Sequence, residues 1–436
     1  MTMRVRTGCV GAVAVLWAST AAGELIPTPT FSNHAIPTAE VPHGDPSYWQ
    51  WVDVGLLCVA LILASYFALV SRSRRHLLVL SVACLVWFGF IRDGCICSIG
   101  ALQNVALACA EPTYLLPAGV ALFFVLPLLF TVFFGRTFCA SVCPLGAIQE
   151  IVAVRSLKVP RWLDESLGLL PFFYLGAAVI FAATGTAFII CRYDPFVAFF
   201  RLNGNVHMLV FGVCMLIVAG IVGRPYCRYL CPYGALLGLL SRVAKWHLRI
   251  VPGECIKCRL CEDACPYGAI HPPTVPQTAR QRMQGKRNLL WVLAVAPLAI
   301  GLLAWIGTWW AVPLSRFHPT VRLWDQICQE ERGLADGTTD ASDAYRNTGQ
   351  PLSLLEGEAY AWQQRFVRIG GWFGAWVGVV LSVKLVQLSI RRRRTDYRPQ
   401  QAGCVSCGRC FQSCPVELVR LGLIQDVSEM VEEPPA

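Results

Sequence analysis

The run Cys255-Ile256-Lys257-Cys258-Arg259-Leu260-Cys261-Glu262-Asp263-Ala264-Cys265-Pro266 returns as Cys404-Val405-Ser406-Cys407-Gly408-Arg409-Cys410-Phe411-Gln412-Ser413-Cys414-Pro415. Cysteines spaced C-x2-C-x2-C-x3-C-P hold cubane [4Fe–4S] clusters, and the fourth cysteine of each run serves the neighbouring cluster. The spacing therefore predicts two [4Fe–4S] clusters with crossed ligands: Cys255, Cys258, Cys261 and Cys414 on one, Cys404, Cys407, Cys410 and Cys265 on the other. A structural zinc site would pair two CxxC units over a longer spacer and has no use for the closing Cys-Pro. Two apolar, membrane-length segments separate the runs. They read as halves of a small α+β ferredoxin-like module, split by a membrane hairpin.

Hydrophobic residues make up 55% of the 436-residue chain and charged residues 15%. That balance excludes an ordinary soluble domain and predicts an all-α polytopic membrane protein. Apolar stretches of spanning length fall at 52–71, 77–92, 116–135, 167–190, 207–224, 288–312 and 366–390, about seven transmembrane helices. The net charge of +10 sits in short clusters beside these stretches, where it orients the chain; it is not a nucleic-acid footprint. Arg72, Arg74 and Arg75, then Arg155, Lys158 and Arg161, the segment 225–287, and Arg391 to Arg394 all fall on one side. The positive-inside rule makes that side the cytoplasm, so both ferredoxin runs face the cytoplasm from the inner membrane of a bacterium. Residues 1–23, with Arg4 and Arg6 ahead of an apolar run and small residues, read as a signal peptide or N-terminal anchor. The expected order is then an extracytoplasmic segment 24–51, a transmembrane core 52–224, a loop 225–287 with the first run, a hairpin 288–390 with outer loop 313–365, and a tail 391–436 with the second run.

The core carries an internal repeat. Cys97-Ser98-Ile99-Gly100-Ala101-Leu102-Gln103, Cys143-Pro144-Leu145-Gly146-Ala147-Ile148-Gln149 and Cys231-Pro232-Tyr233-Gly234-Ala235-Leu236-Leu237 read alike, and Cys191-Arg192-Tyr193 echoes Cys227-Arg228-Tyr229. Placed on the spans, they describe a duplicated helix hairpin. Cys139, Cys143, Cys227 and Cys231 are expected to gather near the inner surface, and Cys95, Cys97 and Cys191 near the outer one. Four convergent sulfurs suit redox chemistry, a soft metal or a further cluster; the competing reading is that they are small buried residues at helix ends. In CxxxC a helical turn puts both thiols on one face, and the proline that follows fits a first helical turn. The outer three fit one disulfide with a thiol left over, or a metal site. Cys9, Cys58, Cys84, Cys109 and Cys214 read as core, and Cys328 has no assignable partner.

No CxxCH is present, so covalent c-type haem is not indicated. Neither a GxGxxG nor a Walker A sequence occurs. Asp, Glu and His are scarce within the spans, whereas ion-coupled transporters keep them there. Electrons fit this chain better than ions.

The twin CxxxCP motifs, the Cys191-Arg192-Tyr193-Asp194-Pro195-Phe196 segment and the paired ferredoxin runs together resemble the membrane polyferredoxins of the NosR/NapH type. The resemblance covers about residues 52–287 and the last run. It implies that Cys139, Cys143, Cys227 and Cys231 match the family's twin motifs and the eight ferredoxin cysteines its cluster ligands. Members of that family serve nitrous oxide reductase maturation and periplasmic nitrate reductase electron supply, with relatives linked to copper-oxidase assembly and dehalogenation. Two departures stand out: the outer N-terminal stretch is too short for the flavin-bearing domain of the NosR branch, and an extra hairpin separates the runs. The expectation is an electron-transfer component, not a stand-alone catalyst. It would work between a cytoplasmic donor or quinol (quinone) pool and an extracytoplasmic redox enzyme or its maturation machinery. The alternative is an assembly factor that relays thiols or reduces copper for an extracytoplasmic metalloenzyme. Lys257 and Arg259 would raise a cluster's potential or meet an acidic partner.

Overall fold

Backbone polar groups in hydrocarbon find no water, so a chain this apolar satisfies them within helices. The computed structural model describes residues 48–92, 94, 97–154, 157–201, 206–250, 255–274, 276, 278–335, 337–390 and 393–430. The expected signal segment and Cys95 lie outside these residues. Helix Tyr48–Leu69 (α1) is followed by Arg74–Cys84 (α2), which runs on as a π-helix through Ile91. Next come Ser98–Ala110 (α3), Ala118–Phe134 (α4), Pro144–Val152 (α5), Leu170–Ala183 (α6), Val206–Ile221 (α7) and Pro232–Leu240 (α8). Two long helices, Ala279–Ser315 (α9) and Leu352–Ser389 (α10), form the hairpin.

Among the described residues, five helices are long and apolar enough to cross a membrane: Tyr48–Leu69, Arg74–Ile91, Arg161–Ala183, Ala279–Ser315 and Leu352–Ser389. The spans expected at 116–135 and 207–224 are represented by shorter helices of 17 and 16 residues. At 1.5 Å per residue these reach about 25 Å, short of a core about 30 Å thick. The cause is local: Gly135 takes φ +73° and ends α4, and Arg224 takes φ +46° just past α7. Each turn sends the chain into a CxxxCP segment instead of prolonging the helix. The stretch 93–115, expected as a loop, holds α3, whose buried face is Ile99, Ala101, Leu102 and Gln103.

The two halves of the core interlock. α3 packs on α4 and α6, α8 on α6 and α4, and α5 on α7 and the π-helical end of α2. Both CxxxCP segments break in the same way. Residues Phe138–Val142 and Pro225–Tyr229 are short helical turns, and Cys143 and Cys231 take extended backbone as N-caps of α5 and α8, with proline in the first turn. The second cysteine of each pair thus starts a new helix; it does not share a face with the first.

Small residues bring α9 and α10 into backbone contact. A Cβ on Gly374 would run into the Leu303 carbonyl, and one on Gly378 would lie 2.8 Å from the Ile300 Cα. Trp376 ties the hairpin to the core by donating Nε1–H to the Phe172 carbonyl at 3.0 Å. Gly374→Leu should therefore lower the thermal-unfolding midpoint by the equivalent of about 1–3 kcal/mol or more. Gly357→Leu, on the same helix where an added Cβ meets nothing within 4 Å, serves as the control in the same melting experiment. Equal midpoints for the two variants would show that the close approach contributes nothing.

The stretch between the hairpin helices is largely helical, with Pro319–Glu331 and Asp340–Asn347 joined by Glu330, which accepts from Ser342 at 2.8 Å and pairs with Arg346 at 2.7 Å. At the hairpin's other end the two ferredoxin runs meet. Ile270–His271 (β1) and Arg398–Pro399 (β2) form an antiparallel pair in the register Ile270↔Pro399 and His271↔Arg398. The turns Leu260–Ala264 and Arg409–Gln412 pack together beneath it.

Candidate iron–sulfur and thiol sites

The two cysteine runs fold alike. Lys257 and Ser406, at the third position of each run, have φ of +59° and +54°; Arg259 and Gly408, at the fifth, have +69° and +82°. Left-handed backbone is unfavourable for Lys, Arg and Ser, and such outliers persist where the surroundings impose them. The turns point backbone N–H groups at sulfur: those of Ser406 and Arg409 reach Cys404 and Cys407, and that of Glu417 reaches Cys414. Donors so placed favour thiolate over thiol.

The sulfurs fall into two sets, each drawn from both runs. Burial, then the neighbouring thiols of Cys414, Cys255 and Cys258, pushes the Cys261 thiol up to about 12. Burial, then Cys404, Cys407 and Cys265, pushes Cys410 well above the usual thiol range. The first set lines a cavity of about 760 Å³ whose wall also carries Arg242, Arg249, Arg394 and Arg398. The second lines a small cavity closed by Leu248, Tyr267 and Val405. One set therefore faces a basic opening and the other an apolar enclosure. Among the described residues no three His, Cys, Asp or Glu side chains converge as on a single metal ion. A cube offers four separate irons, so its thiolates stand further apart than the ligands of one ion. Four sulfurs around one cavity, supplied with backbone donors, fit such a group. Arg259 pairs with Glu262 at 3.3 Å, which offsets the charge it would bring to the first set.

Cys139, Cys143, Cys227 and Cys231 form a third assembly. Burial, then Cys227, Cys139, Cys97 and Cys231 in turn, pushes the Cys143 thiol well above its ordinary range. Cys231 Sγ accepts from the Gly234 N–H at 3.2 Å, and Cys227 Sγ accepts from Gln149 Nε2 at 3.5 Å. Arg136 reaches Cys139 Sγ at 3.7 Å and donates to the Ala402 carbonyl at 2.9 Å. Arg224 donates to the carbonyls of Cys139 and, at 3.1 Å, Ala140. Each arginine lies over the glycine of the opposite repeat: an added Cβ would stand 3.1 Å from Arg224 at Gly146, and 3.3 Å from Arg136 at Gly234. Two buried arginines, one from each repeat, thus border the thiol assembly.

The motif reading missed these arginines. Their signal is present: the repeat extends upstream as Gly135-Arg136-Thr137-Phe138-Cys139 and Gly223-Arg224-Pro225-Tyr226-Cys227. It also missed Glu150, which joins the thiol assembly to the ferredoxin runs. Its carboxylate meets Arg224 at 3.1 Å, Arg409 at 2.7 Å, Arg74 at 3.3 Å and the Tyr267 hydroxyl at 2.9 Å. Burial works to raise its pKa, but Arg224 and then Arg409 outweigh it and hold the carboxyl at about 2.

Of the expected outer group, Cys97 N-caps α3 and lies close to Cys191, and it is also near enough to act on Cys143 of the inner quartet. Cys191 lies beside Gly100 of α3.

Fold and sites define a mostly helical protein with several apolar helices and a small ferredoxin-like 4Fe-4S region. A family described as a 4Fe-4S binding domain matches residues 116–161 and again 205–250, one copy on each CxxxCP segment; further 4Fe-4S binding domains match 248–271 and 404–417. Among curated proteins the chain is similar to NirI of Paracoccus denitrificans (32% identical, covering 50% of this chain and 35% of that protein). It is also similar to YccM of Escherichia coli (32%, 30% of this chain and 41% of that protein) and to the regulatory protein NosR of Pseudomonas aeruginosa (29%, 52% and 35%). The chain is a homologue of the NosR/NapH polyferredoxin type. It spans less than half the length of these three relatives. No solved structure matches it.

Proposed function

We propose that the chain is a membrane-bound electron-transfer protein. Cys255, Cys258, Cys261 and Cys414 would hold one [4Fe–4S] cluster, and Cys404, Cys407, Cys410 and Cys265 the other. The observation that carries this reading is the sorting of the eight sulfurs into two cavities, each bounded by thiols of both runs. Such clusters supply one-electron transfer, and the protein tunes it through burial, charge and hydrogen bonds. The runs face the cytoplasm from the inner membrane, and electrons pass between a cytoplasmic or quinol pool and an extracytoplasmic redox enzyme or its maturation.

A quinol has a fitting place. A cavity of about 430 Å³ has apolar walls from Phe172, Trp376 and Val383 and a polar end with Lys384 and Gln387, and it reaches Cys227. Amphipathic lining of this kind suits a ring with a greasy tail and two polar oxygens. From there the quartet and Glu150 lead toward Cys407. The Arg136 guanidinium beside Cys139 Sγ adds positive charge to the quartet, which favours a negatively charged cofactor over a lone cation there and supports the conduit over a metal-loading role.

The test uses proteoliposomes with reductant inside and an impermeant oxidant outside. Wild-type protein should pass electrons, and the Cys139→Ser and Cys143→Ser variants should fall to the rate of empty vesicles while the EPR signals of the ferredoxin clusters persist. Undiminished flow in both variants would remove the quartet from the route.

A further inference from the structure

The site at Cys97 and Cys191 is built on the template of the inner one. In the inner site, Cys143-x2-Gly146-x2-Gln149 belongs to one repeat and Cys227 to the other; Gln149 Oε1 accepts from the N–H of Tyr226 at 3.1 Å, and its Nε2 donates to Cys227 Sγ. In the outer site, Cys97-x2-Gly100-x2-Gln103 faces Cys191. Gln103 Oε1 accepts from the N–H groups of Ile190 at 3.0 Å and Cys191 at 3.3 Å. Ile190 stands to Cys191 as Tyr226 stands to Cys227, so the two glutamines hold equivalent partners. Gln103 Nε2, the counterpart of the atom that donates to Cys227, is fully buried and has no partner. Both sulfurs bracket Gly100. Its N–H points at Cys97, and a Cβ added to it would stand 3.2 Å from Cys191 Sγ. They line a cavity of about 280 Å³ together with Asp194, Arg92 and Arg201.

We propose that Cys97 and Cys191 are a redox-active dithiol/disulfide couple at the far end of the thiol assembly, opening on this cavity and exchanging with disulfide substrates. The inference rests on the electron-transfer reading above, because its electrons come from the ferredoxin clusters by way of Cys143. Reduction breaks the Cys97–Cys191 S–S bond and forms two S–H groups. It consumes two electrons, one from each reduced [4Fe–4S] cluster, and two protons from cavity water. Asp194 is the relay for those protons. Its carboxyl is buried, accepts from the Phe196 N–H at 2.8 Å, and acts on Cys97. Burial raises it to about 6, close enough to neutrality to give and take a proton readily. In turn the dithiol reduces an incoming disulfide by thiol–disulfide exchange and returns to the linked form.

The full chain in nanodiscs, treated with diamide and digested, should yield a peptide linking Cys97 to Cys191 in mass spectrometry. Photoreducing the clusters should free both thiols for alkylation, and added oxidised glutathione should restore the link. In Cys407→Ser the release should fall to that of an unilluminated sample. Asp194→Asn keeps both sulfurs and should form the same link but release it more slowly, with a weaker dependence on pH. Absence of the linked peptide, or its replacement by a soft metal ion bound to the pair, would overturn the inference. So would a link that cluster reduction leaves untouched. Iron and sulfide counts on the same samples keep the two readings apart: clusters without the link sink the couple alone, whereas a chain without clusters sinks the electron-transfer reading.

Discussion

Cys414→Ser should remove the cluster seated on Cys255, Cys258 and Cys261 and leave its neighbour in place, although Cys414 lies four residues after Cys410 in the other run. The sulfurs acting on Cys414 are Cys258 and Cys255, from the far side of the hairpin. Serine is a poor iron ligand but a good helix N-cap, and Cys414 caps Pro415–Arg420. The helix should therefore survive, which separates ligand loss from unfolding. Iron bound by the two ferredoxin runs should fall by about half, because each run lends its fourth cysteine to the other cluster. Low-temperature EPR should lose the signal of one cluster together with any splitting from coupling between the two. Cys265→Ser should give the reciprocal loss. A Cys414→Ser protein that keeps the Cys255–Cys261 cluster and loses the other would mean that each run closes on itself.

Much of this was legible because it depends on spacing. The ferredoxin runs, the twin CxxxCP segments and the apolar hairpin are patterns that the eye can count, and the repeat within the core matches one family twice. The 13 residues of α3 look like loop in the sequence because length is the usual test for a span, and a helix this short gains its place from packing on α4 and α6. Arg224 was missed for a different reason. Its left-handed backbone and its reach to Cys139 of the opposite repeat follow from how two halves of the chain meet, and charge next to an apolar run reads first as a topology signal. Glu150 is the extreme case: its four partners come from positions 74, 224, 267 and 409, and no local pattern joins them.

That convergence makes Glu150→Gln a damaging change despite its conservative size. The side chain is 4% exposed, so water has little access to replace its partners. Glutamine keeps the size and one acceptor but removes the carboxylate charge that pairs with Arg224, whose side chain is 2% exposed, and with Arg74 and Arg409. Breaking a buried ion network by deleting one partner costs about 3–5 kcal/mol, enough to consume much of a marginal stability. Acid should reproduce part of this effect. Glu150 is held at about 2 in the folded protein against its ordinary 4.5, a depressed pKa, so its contribution is complete above pH 4.5 and disappears as pH falls toward 2. That displacement corresponds to about 3 kcal/mol. Denaturation followed by circular dichroism, which does not depend on acid-labile clusters, should show wild type well above Glu150→Gln at pH 6 and the gap closing between pH 4.5 and 2. Glu150→Asp, which keeps the charge on a shorter arm, should lie between them. A gap that persists unchanged at pH 2.5 would assign the loss to shape and hydrogen bonding and deny Glu150 its place as the counter-charge of the arginines. A second readout separates stability from tuning. Glu150 acts on Cys407, so removing its charge should raise the potential of the cluster that Cys407 holds, seen by redox titration, while the other cluster stays where it was.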